Sequence, residues 1–204
     1  MDDIRVLPEF PLNPHGAICK IFLERGIKHL RQVAELIRNW PYGFPDSPLG
    51  NVLDCANLGY GTCTEKHAVV AACAMEMAVP VFKVVGIYPL DTRLVSGIAP
   101  ILADFRVPFV PATHCFLIFR EYRIDLTEGN CNGKNGPIDQ YWQIHKVAPL
   151  PSQAELDALY ADFIEHDFRR FMPYASELGL ADWRELKHRC TEQLKLSLAC
   201  HIPE

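Results

Sequence analysis

From Gly59 to Ala78 the chain runs through two glycines, Thr62, Cys63, Thr64, Glu65, Lys66 and His67 into Ala68, Val69, Val70, Ala71, Ala72, Cys73, Ala74, Met75, Glu76, Met77 and Ala78. Past His67 the stretch is apolar on every side, broken only by Glu76. A helix without a polar face is the buried centre of a domain. Its small residues let neighbouring elements approach closely, so the rest of the fold has to be arranged around it. Gly59 and Gly61 make the turn that precedes it, which puts Cys63 at the helix N-terminus. The partial positive charge and free N–H groups there stabilise a thiolate and lower its pKa. They also suit an oxyanion. A lone cysteine at a helix start is ordinarily a small packing residue, so a functional reading depends on what else the chain supplies.

The 204 residues suffice for one domain with a full core, 1–204, and the 49% apolar and 22% charged content is that of a globular chain. A formal net charge of -5 without a basic block argues against nucleic acid or an anionic membrane as partner. No apolar run reaches the roughly 18–20 residues of a membrane span. Met1-Asp2-Asp3-Ile4-Arg5 has no apolar h-region, so the expected location is cytoplasmic. Eight cysteines are spread along the chain without C-x-x-C spacing, which points to reduced thiols. Cys19, Cys73, Cys190 and Cys200 fall in apolar helical patterns and read as packing residues, whereas Cys131 sits in a Gly/Asn-rich loop, Gly129 to Pro137, and should be exposed.

Apolar residues at three- and four-residue steps predict helix from about Ile18 to Trp40, with Gly26 a candidate break. The segment Pro41 to Pro48 ends it and leads towards the cysteine. After the central helix, Val79 to Tyr88 is β-branched and aromatic and reads as a strand. Pro89 to Thr113 reads as a long connection with one short element. His114 to Phe119 and Tyr122 to Leu126 read as paired strands, and Trp142 to Val147 as another short one. Ser152 and Glu155 form a capping box for a helix with Leu156, Leu159, Tyr160, Phe163, Ile164 and Phe168 in its stripe. Asp182 is placed as the cap of a last helix carrying Trp183, Leu186, Cys190, Leu194 and Leu198. The order of elements is α+β.

Cys63 starts a helix, His114 starts a strand, and Asp125 lies near the end of the next. A thiolate–imidazole pair needs exactly those three parts: a thiol, a base within hydrogen-bond reach, and a carboxylate to fix the ring. A two-residue turn at Phe119-Arg120 would set His114 opposite Asp125, but neither residue favours such a turn. A bulge or a longer turn over Phe119 to Tyr122 is expected instead. Tyr60, Asn51, Asn57 and Tyr42 are candidates for the oxyanion site or cleft wall, with the Cys63 N–H. His67, four residues after Cys63, shares its helix face and belongs either in the wall or in a polar gap beneath it. Cys63, His67, His114 and Cys115 could be read as zinc ligands. The adjacent His114 and Cys115 should point to opposite faces of a strand, which disfavours that reading. The remaining histidines, His15, His29, His145, His166, His188 and His201, have no partner pattern.

Gly61-Thr62-Cys63, Lys66-His67-Ala68, Val84-Val85-Gly86-Ile87-Tyr88, His114 and Asp125-Leu126-Thr127, taken in this order, resemble the transglutaminase-like superfamily. The resemblance covers Trp40 to Gly129. It implies a papain-like core with the central helix packed on an antiparallel sheet, about residues 40–150, to which N-terminal helices and a C-terminal helical extension, 151–204, are added. It also implies Cys63 as nucleophile, His114 as base and Asp125 as orienter. The expected activity is a cysteine hydrolase or acyl transferase working on an amide or ester carbonyl of a small molecule or peptide. No cofactor or metal is implied. The alternative is a binding module of the same fold that has lost turnover.

Overall fold

Four helices, two of them separated by Gly26, precede the first strand. α1 (Ala17–Glu24) and α2 (Leu30–Arg38) realise the helical pattern expected from Ile18 to Trp40, and the break falls at Gly26, where φ is +80°. The buried side of α2 is Leu30, Val33, Ala34 and Ile37, one stripe at helical spacing. In the computed structural model, which describes residues 3–47, 49–128, 131–172 and 177–199, the chain is α+β. Cys200, His201, Pro48, Gly129 and Asn130 lie outside the described residues.

α3 (Val52–Leu58) has no counterpart in the expected elements. The Asn51 side chain caps it, accepting from Asp54 N–H at 3.0 Å, and Gly59 closes it at φ +77°. α4 (Cys63–Glu76) is the central helix. Every residue from Glu65 to Ala74 is buried, including Lys66 and His67. Its start is fixed by a reciprocal box: Thr64 N–H donates to Thr62 Oγ1 at 3.2 Å, and Glu65 Oε2 accepts from Thr62 N–H at 2.8 Å and from Thr62 Oγ1–H at 2.6 Å. Its far end supports α1, because the Glu76 carboxylate accepts from the N–H groups of Ile18 and Cys19 at 2.9 Å each. Lys66, on the first turn, reaches the other way: Nζ donates to the carbonyls of Arg38 at 3.3 Å and Trp40 at 2.5 Å, where α2 ends. Burial lowers its pKa to about 8, against the attraction of Asp125.

Among the described residues there is one four-stranded antiparallel sheet in the order β3-β2-β1-β4. β1 is Val81–Leu90, β2 Val110–Phe119, β3 Tyr122–Ile124 and β4 Gln143–Lys146. The β2–β3 register pairs Leu117 with Ile124, Ile118 with Arg123 and Phe119 with Tyr122. Arg120 and Glu121 are therefore the turn, with Arg120 at φ +55°. The turn is thus a two-residue one, moved one residue on from Phe119-Arg120, and not the bulge or longer turn that was expected. His114 stands inside β2, which begins four residues before it, and Asp125 follows the end of β3; both differ from the expected positions. Extended by one residue, the register sets Asp125 opposite Phe116, two residues from His114 on the same face.

The chain divides into two compact units. The first takes in residues 1–86, 114–132 and 144–150, with a core of Phe22, Leu30, Val33, Ile37, Val69, Val70, Leu117, Phe119, Ile124 and Leu126 among others. The second takes in 87–113, 133–143 and 151–204. An extension counted from 151 is thus too short: those helices group with the segment before His114. In this unit Ala99–Asp104 forms α5, the short element expected in the connection. α6 (Gln153–Asp162) starts at the Ser152–Glu155 box and passes into a π-turn at Phe163–Asp167. α7 is Leu180–Ala199. Asp182 is inside its first turn, its carboxylate accepting from Gly179 N–H at 2.8 Å, and so is not the N-cap. Tyr160, Phe163, Phe168, Trp183, Leu186 and Cys190 are buried, and Trp142 stacks on Phe163 at 5.6 Å.

Candidate active site

Local sequence sets the thiol first. The parallel bridge between Tyr42 and Gly61, with Gly43 N–H on the Gly61 carbonyl and Gly61 N–H on the Pro41 carbonyl at 3.3 Å each, lays the approach segment beside the turn. A Cβ on Gly61 would lie 2.6 Å from Glu65 Cβ, so the capping box can close only over a glycine. Cys63 then becomes the first residue of α4, and its N–H has no intrahelical partner by position.

Three tethers hold this first turn. Lys83, buried on β1, donates from Nζ to the Thr64 carbonyl and to the Pro149 carbonyl, 2.9 Å each. Thr64 Oγ1 lies 3.8 Å from the Cys115 sulfur on β2. His67, fully buried, provides the third. Its Nε2 accepts from Leu126 N–H at 2.8 Å, which fixes the tautomer, and its Nδ1–H donates to the Cys63 carbonyl at 2.7 Å. Burial lowers the pKa of His67 to about 3, so it is neutral. Asp125 Oδ1, 3.5 Å from Nε2, therefore faces an uncharged ring. Of the two expected places for His67, the structure gives the buried one. Both ring nitrogens are used within the protein, which removes it from any metal-ligand set; among the described residues no group of three or more His, Cys, Asp or Glu could hold a metal ion.

Two of the three expected site residues meet directly: His114 Nε2 is 2.7 Å from Asp125 Oδ2, and both side chains are buried. The other carboxylate oxygen accepts from Thr127 N–H at 2.8 Å and Thr127 Oγ1–H at 2.7 Å, and Asn132 Nδ2 donates to the Thr127 carbonyl at 2.9 Å. The Cys63 sulfur acts on His114 electrostatically. Since Nε2 faces Asp125, Nδ1 is the ring nitrogen turned away from the carboxylate. Burial works against a charged His114, but the Asp125 carboxylate and the Cys63 sulfur outweigh it and raise the pKa to about 9. Burial would raise Asp125 too; His114 overrides it and holds the carboxyl well below the usual range.

Cys115 joins this group. Cys115, then burial, pushes the Cys63 thiol up to about 12, while Cys63, with Lys83 and Thr64, brings Cys115 down to about 6 against burial. Cys63 is the partly open member of the pair, and Cys115 is 3% exposed.

The other candidates separate. Asn51 Oδ1 accepts the α3 cap bond, and Asn57 is exposed on that helix. Tyr42 and Tyr60 remain on the approach segment, the Tyr60 ring against Gly43. Cys131 is exposed, as expected, and Cys19, Cys73 and Cys190 are buried. Of the remaining histidines, His15, His166 and His188 are exposed, while His29 and His145 are half-buried. Lys83, Cys115 and Asn132 were not singled out for the site. Only the Thr62–Glu65 spacing carried a local signal, that of a capping box.

Comparison with protein-family models, with curated proteins and with solved structures gives no match for this chain. The site is accordingly read from its own geometry.

Proposed function

We propose that the protein is a cysteine-dependent hydrolase or acyl transferase of transglutaminase-like type, acting on an amide or ester carbonyl. The observation that carries this reading is the buried imidazole of His114, held by Asp125 at 2.7 Å on Nε2 and kept basic against its burial by Asp125 and the Cys63 sulfur. A structural histidine needs only satisfied nitrogens; this one is also kept basic beside a thiol at a helix start. In the proposed reaction the Cys63 sulfur, its proton already held on His114, attacks the carbonyl carbon as the thiolate. The oxyanion accepts from the Cys63 N–H. His114 then returns the proton to the leaving amine or alcohol, leaving a thioester. Water, activated by the same ring, attacks the thioester and restores the thiol. Hydrolysis is favoured over transfer because water needs no second binding site.

The test is acylation by p-nitrophenyl acetate, followed by nitrophenolate release and mass spectrometry. Acetyl on Cys63, turned over repeatedly and lost in Cys63→Ala and His114→Ala, is the expected result. A single stoichiometric acetylation without turnover would favour the binding module. Equal acetylation of several thiols, insensitive to His114→Ala, would overturn the reading.

A further inference from the structure

At the end of α4 away from Cys63, the first unit holds an apolar groove. Its walls are the last turns of α4 around Ala71 and Met75, the segment 78–83 that leaves the helix and enters β1, and the segment 146–149 that leaves β4. All of these residues belong to that unit. Ala78, at φ +54°, turns the chain off the helix, and Pro80 follows. The groove measures about 550 Å³. That lies inside the range of small-molecule sites, about 300–1,000 Å³. Met75 and Phe82 line it and are exposed, although both are large and apolar.

The charge of the groove is of one sign. Its charged lining residues are Lys83 and Lys146, and no aspartate or glutamate lines it, in a chain whose formal net charge is -5. The two lysines differ. Lys83 is buried, with Nζ on the carbonyls of Thr64 and Pro149. Lys146 is exposed, and its Nζ lies 3.2 Å from the centroid of the Phe82 ring, which holds the ammonium beside the apolar wall. A ligand that fits is apolar along its length and anionic at one end. The backbone narrows the class further. Pro80 and Pro149 have no N–H, and the N–H groups of Ala78, Val79, Val81 and Val147 donate to the carbonyls of Met75, Ala74, Val79 and Lys83. A peptide laid here would find none of these donors for its own carbonyls, and an unmatched carbonyl in an apolar site costs free energy. An alkyl chain has none to satisfy. We propose that the groove binds the anion of a medium-chain fatty acid, with the alkyl chain against α4 and the start of β1 and the carboxylate on Lys146. The groove shares no residue with Cys63, His114 and Asp125, so binding does not depend on the acyl chemistry.

The test is isothermal titration of the full chain with sodium dodecanoate below its micelle concentration, at two temperatures. Cross-linking with a diazirine-bearing dodecanoate and peptide mapping then locate the site. The expected result is saturable binding of a single dodecanoate, a negative heat-capacity change, and cross-links on the peptides that carry Met75, Phe82 or Lys146. Lys146→Met and Met75→Glu change exposed side chains and should leave the thermal transition in place. Each should weaken dodecanoate binding about fivefold, the first by removing the cation, the second by setting a carboxylate in the groove. Dodecyltrimethylammonium, with a similar chain and the opposite charge, should bind the wild type more weakly than dodecanoate does, and should gain on it in Met75→Glu. Dodecanoate that fails to bind, that cross-links elsewhere, or that binds the wild type and both variants equally would overturn the proposal. So would a dimer in sedimentation that Met75→Glu dissolves and dodecanoate leaves intact, since a second copy of the chain would then fill the groove.

Discussion

The Asp125 carboxylate is divided between two jobs: Oδ2 holds His114 Nε2 at 2.7 Å, while Oδ1 is held by the N–H and hydroxyl of Thr127. The carboxylate can neither rotate nor take up a proton easily, which makes it a fixed anchor for the ring. Asp125→Asn keeps the shape but removes the charge that keeps His114 basic. The expected result is a drop in Cys63-dependent acylation of about two to four orders of magnitude with the folded state retained. Stopped-flow acylation and circular dichroism check it. A variant acylated as fast as the wild type would reduce Asp125 to a turn residue that follows β3.

The same geometry sets a pH profile. His114 keeps its proton to about 9. The leaving group needs that proton, so the acyl-transfer rate should fall as pH rises through about 9. Alkylation of Cys63 by iodoacetamide needs only the sulfur anion, and Cys115 and burial push that thiol up to about 12, so labelling should still rise above about pH 9.

Much of this was visible in residue order and much was not. The central helix was legible because its apolar residues cover every side, and a polar-free helix has only one place to go. The contact between His114 and Asp125 was legible because the two fall on adjoining segments of a hairpin. The register was not, since Arg120 adopts a positive φ that its side chain does not advertise. α3 hid in a segment rich in glycine and proline, although Asn51 and Gly59 bracket it with ordinary cap signals.

His67 makes a separate prediction about acid. Its pKa in the folded chain is lowered from 6.5 to about 3, so below pH 6.5 the unfolded chain binds a proton that the folded chain refuses. Stability therefore falls as pH drops from 6.5 towards 3, by several kcal/mol at most, about 1.4 kcal/mol per pH unit. His114 has the opposite sign. With its folded pKa raised to about 9, its contribution is complete below 6.5 and flat across that window. His67→Gln retains an acceptor and a donor but does not titrate. Urea unfolding between pH 6.5 and 4 should show a shallower acid limb for His67→Gln than for the wild type. Equal limbs would mean that His67 does not carry the acid loss.

The C-terminal helices make the last prediction. α7 packs on α5 and on the turn at Ser96–Ile98, and Tyr160 of α6 donates to the Trp183 carbonyl of α7 at 3.2 Å. Both helices lie in the same unit as the residues between β1 and β2. Cutting the chain after Leu150 would leave Ile98 and Leu102 uncovered, while Phe163, Phe168, Trp183, Leu186 and Cys190 would be lost outright. Each large buried side chain contributes about 1.5–3 kcal/mol. Several such losses exceed the roughly 5–15 kcal/mol by which a domain is stable. The second unit therefore cannot stay folded in the fragment. Residues 87–90 of β1 and 110–113 of β2 belong to the second unit. The expected outcome is a fragment 1–150 that aggregates or melts without cooperativity, and in which Cys63 labels no faster than Cys131. A soluble fragment with a sharp thermal transition and preferential Cys63 labelling would instead make the helices a separable appendage.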